Sequence, residues 1–396
     1  MAFYLGALQL CFALTWTVYV IYLPSLAAQA GLGREWVPFI LLLDQLVFAL
    51  SDWAVGTASD RIAGTVGKLG RIAALVTLVS CGAFIVLPHV AGAGAAALIG
   101  VTLVWTIASS ALRAPPFVLI GKYVPAPRQP WLSAASLFGL GLAGAAGPYL
   151  ALVLKGVDPR IPFAVSSIVL ALVTAGMARA ERSLAEASQA ADAVPSSQAD
   201  ATSRSAPASL GPPARGPLLL AALLAALAFQ IHFPLNAASQ FLKVAPAGEL
   251  PWLMPLFWVG FNVMILPAAL WTTRFGAATV MTAGAMAGAI ASAAIALGVD
   301  LAAMAALQIV AGAGWGALLM SAFAAALAAG HTGAEGKVTG AMFSLFALAA
   351  LMRIGILAAQ LNLTPGMGAV LSWAPAVLWT AAGLLLWRAM AAGRNG

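Results

Sequence analysis

Apolar positions in this chain do not alternate, and they do not trace a single helical face. They fill whole stretches, each about 20 residues or longer, separated by short turns that hold Gly, Pro and most of the charge. At a 1.5 Å rise per residue such a stretch crosses the apolar core of a bilayer as one helix, with every backbone group satisfied inside it. A closed barrel would instead show ten-residue segments of alternating polarity, whereas Leu218 to Ala228 is apolar on every side. The pattern predicts twelve helices, over 4–29, 36–57, 70–89, 94–121, 131–154 and 161–180, then 216–238, 251–273, 276–298, 301–329, 337–361 and 368–390. The first run starts at Met1 with no basic residue ahead of it and is too long for a cleaved signal peptide, so it is expected to remain as the first helix.

Between the two sets of six, residues 181–215 are rich in Ala, Ser, Pro and charge and read as a disordered linker. The cut leaves two near-equal parts, 1–180 and 216–396, each with six apolar segments, the length signature of an internally duplicated carrier. The expected architecture is therefore an all-α membrane protein of two six-helix bundles related by a pseudo-two-fold axis.

Composition agrees: 62% of residues are hydrophobic and 8% charged, against about 45–50% and 25% in soluble domains. The net charge of +7 would suggest nucleic acid in a soluble protein, but here the placement of the charges argues for a bilayer as partner instead. With the N-terminus cytoplasmic, the inner side holds Arg61, Lys68, Arg71, Lys122, Arg128, Arg179, Arg182, Arg204, Arg215, Arg274, Lys337, Arg388 and Arg394. The outer side holds only Arg34, Lys155, Arg160 and Lys243, so both termini and the linker are expected inside a cell membrane, such as a bacterial inner membrane. Cys11 and Cys81 both lie in apolar runs and read as small core residues, and no metal or other cofactor is implied.

The turn after the second helix reads Gly56-Thr-Ala-Ser-Asp60-Arg61-Ile-Ala-Gly64, followed by Lys68 and Arg71. It resembles the signature loop of the major facilitator superfamily, and helix count, duplication, central linker and motif position extend the likeness over the whole chain. Ala63 stands where that loop usually has a glycine, and the basic residues come later than usual. The resemblance implies a secondary transporter working by alternating access as a monomer, with Gly56, Asp60 and Arg61 in a gate. Asp60 is then expected against the positive N-terminal end of the eleventh helix, which opens with Gly336-Lys-Val-Thr-Gly340.

Gly139-x-Gly141-x-x-Gly144 in the fifth helix matches a dinucleotide fingerprint, but no strand precedes it, and small residues at this spacing let membrane helices approach closely. Gly147-Pro148 is similar to the fifth-helix motif of drug and proton antiporters, although Ala151 and Leu152 replace its closing glycines. Arg113-Ala114 in the fourth helix, with Gln230 and Asn236 in the seventh, is similar to cation-coupled sugar carriers of the same superfamily. A sugar or other small metabolite is the expected substrate, with a proton (or another cation) as coupling ion; an efflux antiporter is the alternative.

Charges at mid-helix depth each cost about 2.5–3.5 kcal/mol and so call for a partner or a role. Asp44 lies halfway along the second helix, and Asp52 lies two turns further on, about 80° round the axis. Arg113 falls at the depth of Asp52 and is expected to pair with it, which leaves Asp44 as the freer carboxylate. Such a group, out of water, favours its neutral form, so Asp44 is a candidate to carry a coupling proton, with Asp52 and Arg113 assisting; alternatively Asp44 and Gln45 bond a neighbouring helix. Candidate cavity residues are Gln45, Gln230, His232, Asn236, Asn262, Gln308 and Arg353. Arg353 either meets an anionic or hydrogen-bonding substrate or snorkels to the outer surface. Pro234 interrupts the stretch that holds Gln230, His232, Asn236 and Gln240, and Asn262 lies near Trp258. Trp16, Trp105 and Trp315 are too deep for an interfacial belt. An enzyme is not expected: His89, His232 and His331 lie far apart and no catalytic or phosphate-binding motif is present. A channel or a sensor remains the rival from another class.

Overall fold

The computed structural model describes residues 1–192, 215–331 and 333–394. Among these it contains twelve helices long and apolar enough to cross a membrane. They are α1 (Ala2–Gln29), α2 (Arg34–Ile62), α3 (Lys68–Ala93), α4 (Ala95–Tyr123), α5 (Ala126–Val153) and α6 (Arg160–Ala190) in the first half. The second half has α7 (Arg215–Phe241), α8 (Ala247–Phe275), α9 (Ala277–Ala296), α10 (Leu301–Gly330), α11 (Glu335–Ala358) and α12 (Met367–Ala392). Consecutive helices run in opposite directions, so both termini lie at one end of the bundle, the end that carries most of the Lys and Arg and is called the basic end below.

The end of α6 differs from the expectation. Helix continues through Met177–Asp192, so 181–192 is not a disordered linker, and helix resumes at Arg215. The segment MARAERSLAEASQAAD is Ala-rich and helix-favouring, and it buries Met177, Glu181, Leu184 and Ala185, the one-sided spacing of an amphipathic helix. The rest of the expected linker, 193–214, lies outside the described residues. Two other helices change their winding. In α4 the tandem Pro115 and Pro116 remove two N–H donors, and a 3-10 turn at Ser110–Leu112 precedes them, with Arg113 at the junction. In α7, Pro234 sits inside a π-helical stretch, Ile231–Ala237.

Glycines set the closest helix contacts. A Cβ on Gly139 of α5 would meet the backbone of Gly6 and Leu10 in α1, and Cβ atoms on Gly260 and Gly312 would collide across the α8–α10 crossing. The dinucleotide-like run is thus a packing surface: Gly139 admits α1, while Gly141 and Gly144 admit Asn262 and Trp258 of α8.

The hydrophobic core shows how the halves meet. One large cluster joins them toward the basic end, where Phe117 of α4 stacks on Phe323 of α10 with centroids 4.2 Å apart and lies 5.8 Å from Phe343 of α11. Toward the opposite end the core divides into one cluster within the first half, around Tyr19, Leu23, Phe84, Trp105 and Phe163, and another within the second, around Phe241, Ile295 and Met304. Tyr149 of α5 and Trp252 of α8 still meet edge to face there, at 5.2 Å. The halves are fused at the basic end and hold separate cores at the far end.

Candidate functional site

The seal at the basic end is a crossing of α2 and α11. Gly56, Gly336 and Gly340 lie at the contact, where an added Cβ at Gly340 would come within 2.6 Å of the Asp52 carbonyl oxygen. Backbones this close require three residues without side chains. Just beyond the crossing, the backbone N–H of Gly336 donates to Asp60 Oδ1 (2.6 Å) and that of Lys337 to Oδ2 (2.8 Å). A carboxylate from the first half thereby satisfies the free N–H groups that open a helix of the second half, where the helix dipole also favours negative charge. Arg61, next in sequence, is exposed.

Deeper in α2, Asp52 is fully buried and its Oδ2 accepts a 2.7 Å hydrogen bond from Nη1 of Arg113. This is the one ion pair among the described residues. The guanidinium lies 4.6 Å from the ring centre of Phe48 in its own half and 5.3 Å from that of Phe343 in the other. It therefore reaches the seam between halves, where rings on both sides hold it by cation–π attraction.

Asp44 is also fully buried; as the freer of the two carboxylates it has no ion-pair partner, and what meets it are hydroxyl groups of neighbouring helices. Tyr19 Oη donates to its Oδ2 at 2.7 Å, and Thr106 Oγ1 lies 3.3 Å from its Oδ1. Thr106 Oγ1 is also 2.9 Å from the Thr102 carbonyl, and one hydroxyl hydrogen serves only one of these acceptors at a time. Rings enclose the group: Tyr19 and Trp105 are 4.6 Å apart, and Trp16 lies 5.7 Å from Phe48 and 6.0 Å from Trp105. Gln45 is buried beside it. Asp44 thus has hydroxyl donors and no cation. Tyr19, Thr106, Phe48 and Phe343 were not singled out in the sequence, because a Tyr or Thr in an apolar run carries no signal until its neighbours are known.

In the second half the predicted residues fall into two groups. His232, Gln308 and Asn236 are turned into the packing: His232 Nε2 is 3.2 Å from Gln308 Oε1, and Asn236 Nδ2 donates to the Leu371 carbonyl at 2.7 Å. Gln230, Arg353 and Asn262 are only partly buried. Arg353 Nε donates to Gln230 Oε1 at 2.8 Å, which ties α11 to α7. Asn262 Nδ2 donates to the Trp258 carbonyl at 2.9 Å, while its Oδ1 has no partner. Phe229, Phe233, Trp258 and Trp315 form a continuous aromatic wall on this side, with Phe229 and Trp315 stacked at 4.7 Å.

The glutamate at the base of α6 was also missed. Glu181 is fully buried and its Oε2 accepts the Gly70 N–H of α3 at 2.7 Å. Only the unexpected helical continuation brings it there.

Comparison of the whole chain with known proteins finds no matching family model and no matching curated sequence. Solved structures do match in fold. A bacterial homologue of the iron transporter ferroportin in an outward-facing state superposes with a TM-score of 0.72 at 12% identity, covering 98% of each chain. A human organic anion transporter matches at 0.70 and 14% identity, over 98% of this chain and 97% of that one. A proton:xylose symporter of the major facilitator superfamily, bound to a bromodeoxyglucose, matches at 0.65 and 13%, over 98% and 94%. The chain has the two-bundle fold of major facilitator superfamily transporters.

Proposed function

We propose that this chain, built on the major facilitator fold, is a secondary transporter that moves a small solute by alternating access and couples the movement to a proton. The observation that carries the proposal is the asymmetric joining of the halves: a glycine crossing and the Asp60 cap bind them at the basic end, while their cores separate at the far end. Rocking one half against the other exchanges which end is joined, and a solute held between them changes sides. Gly56, Asp60 and Arg61 form the gate in this scheme. The distribution of Lys and Arg supports a cytoplasmic basic end with both termini inside, and on that reading the conformation described is open outward. The two sets of six helices, α1 to α6 and α7 to α12, act as the two moving bodies.

Asp44 is the proton carrier in this reading. It is a mid-membrane carboxylate with hydroxyl partners and no cation, and the coupling proton joins and leaves it as rocking of the halves changes its access to water. Asp52 and Arg113, at the seam with Phe343, report the relative position of the halves. Two kinds of solute deserve first trial. Sugars are suggested by fold neighbours such as the proton:xylose symporter, and organic anions by the human transporter.

The test is lumenal pH in proteoliposomes while sugars, carboxylates and cationic drugs are added outside, with wild type compared to Asp44→Asn. Solute-dependent proton movement that disappears in the variant, with solute exchange retained, is the expected result. Equal responses in both remove Asp44 from the coupling step, and the absence of saturable counterflow for every solute turns the reading toward a channel or sensor.

A further inference from the structure

Arg353 lies within a membrane-spanning helix of the second half, and the described residues provide it no counter-charge. It lies five residues before the end of α11, a depth from which an arginine can extend along the helix to reach water. Its Nε donates to Gln230 Oε1 at 2.8 Å, which ties the head group to the neighbouring α7, and the residue is only partly buried. The comparison with Arg113 is direct: that arginine has Asp52 at 2.7 Å, while no carboxylate among the described residues lies within ion-pair distance of Arg353. With Nε engaged by a neutral amide, the two terminal nitrogens form no hydrogen bond among the described residues. That leaves the planar end of the guanidinium available, the part that grips a carboxylate with two parallel hydrogen bonds.

The surroundings describe the rest of a ligand. Phe229 and Phe233 flank Gln230 on α7, Phe229 is stacked on Trp315, and Phe233 meets Trp258 edge to face at 5.7 Å. Phe346, seven residues before Arg353 and about 20° from it around α11, lies 6.3 Å from Trp315. Phe229, Phe233, Trp258 and Phe346 are all partly exposed. A single cation anchored on Gln230, whose neighbour Phe229 belongs to the aromatic wall, suits a monoanion with a flat apolar body; a dianion would need a second cation. A sugar would need several hydroxyl partners around its ring, yet His232 Nε2, Gln308 Oε1 and Asn236 Nδ2 already bond within the packing, which leaves Asn262 Oδ1 as the unpartnered amide oxygen on a partly exposed residue beside Trp258.

We infer that Arg353, positioned by Gln230, binds the carboxylate of an organic monoanion whose apolar, aromatic-compatible body rests on Phe229, Trp258 and Phe346. The inference rests on the carrier reading only for what happens after binding; the binding step stands by itself and is tested by itself.

The experiment is calorimetric titration of the purified full chain with benzoate, phenylacetate and 3-phenylpropionate, each beside its own uncharged amide. A bidentate charge-assisted contact gives each carboxylate about 10- to 100-fold tighter binding than its amide. Arg353→Gln should abolish that difference, and Arg353→Lys, which keeps the charge but not the fork, should retain only part of it. Should the Gln variant fail to fold, as judged by gel filtration, the Lys variant still decides. Carboxylates that bind no better than their amides, or a preference undiminished in both variants, overturn the inference. Counterflow of the same probes separates the two proposals: binding without counterflow keeps the site and removes the carrier, and sugar counterflow without carboxylate binding does the reverse.

Discussion

Replacing Asp60 by Ala should release the seal at the basic end. In the joined state its carboxylate accepts the Gly336 and Lys337 N–H groups at 2.6 and 2.8 Å, and rocking the halves apart at this end would remove both contacts. An equilibrium shifts only by the free energy that differs between its two states, so this contact counts in full toward the joined state. Loss of an N-terminal cap costs about 0.5–2 kcal/mol and loss of the dipole interaction about 0.3–1 kcal/mol. Because Asp60 is only partly buried, a total near 2 kcal/mol is the upper end, a shift of about 30-fold in the joined-to-parted ratio. Asp60→Asn keeps a carbonyl acceptor and loses the charge, so its shift should be smaller. The assay is a spin-label distance distribution between Thr65→Cys and His331→Cys, both exposed at this end, with Cys11 and Cys81 changed to Ser. The longer-distance population should grow in the order wild type, Asn, Ala. If the distributions are identical, Asp60 is an ordinary turn residue and the glycine crossing alone holds the seal.

Two further expectations use the same surfaces. Gly340→Ala places a Cβ 2.6 Å from the Asp52 carbonyl oxygen and 2.9 Å from the Gly56 Cα, so α2 and α11 must separate and the same label pair should report a larger parted population; Gly355→Ala, with nothing within 4 Å of its Cβ, should leave the distribution unchanged. Asp52→Asn leaves the Arg113 charge without its partner and should destabilise the protein by about 3 kcal/mol, while Asp52→Asn combined with Arg113→Gln should recover part of that loss; thermal melting in detergent of these two variants and of Arg113→Gln alone checks it, and additive losses would show that the pair is not coupled.

The legibility of the site followed the range of each interaction. Asp60 and the opening of α11 were readable together because one motif and one helix start carry both partners. The Asp52–Arg113 pair was readable from helix depth, since 1.5 Å per residue fixes where each charge sits along the bilayer normal. That Asp44 lacks a cation was legible in the same way, but its hydroxyl partners were not. Depth does not reveal rotation, and Tyr19 and Thr106 become its donors only through the packing of α1 and α4 on α2. His232 and Asn236 looked like cavity residues beside Pro234, and the π-helical stretch turns them toward α10 and α12 instead. The base of α6 was read as a linker because Ser and charge dominated the composition, while its Ala content and apolar stripe were a local helix signal that went unused.

The sequence by itself determined that the solvent is a bilayer, that about twelve helices cross it, that they divide into two sets of six, and which end collects the positive charge. These follow from local quantities: the apolar length needed to span a bilayer, and the cost of placing charge inside it. Tertiary structure alone decided which polar groups satisfy one another and which are left over. That choice depends on helix rotation and on contacts of up to 277 residues' separation, as between Asp60 and Lys337. It is why the structure, and not the pattern, gives Asp44 its hydroxyl partners Tyr19 and Thr106 and sets Arg353 against Gln230.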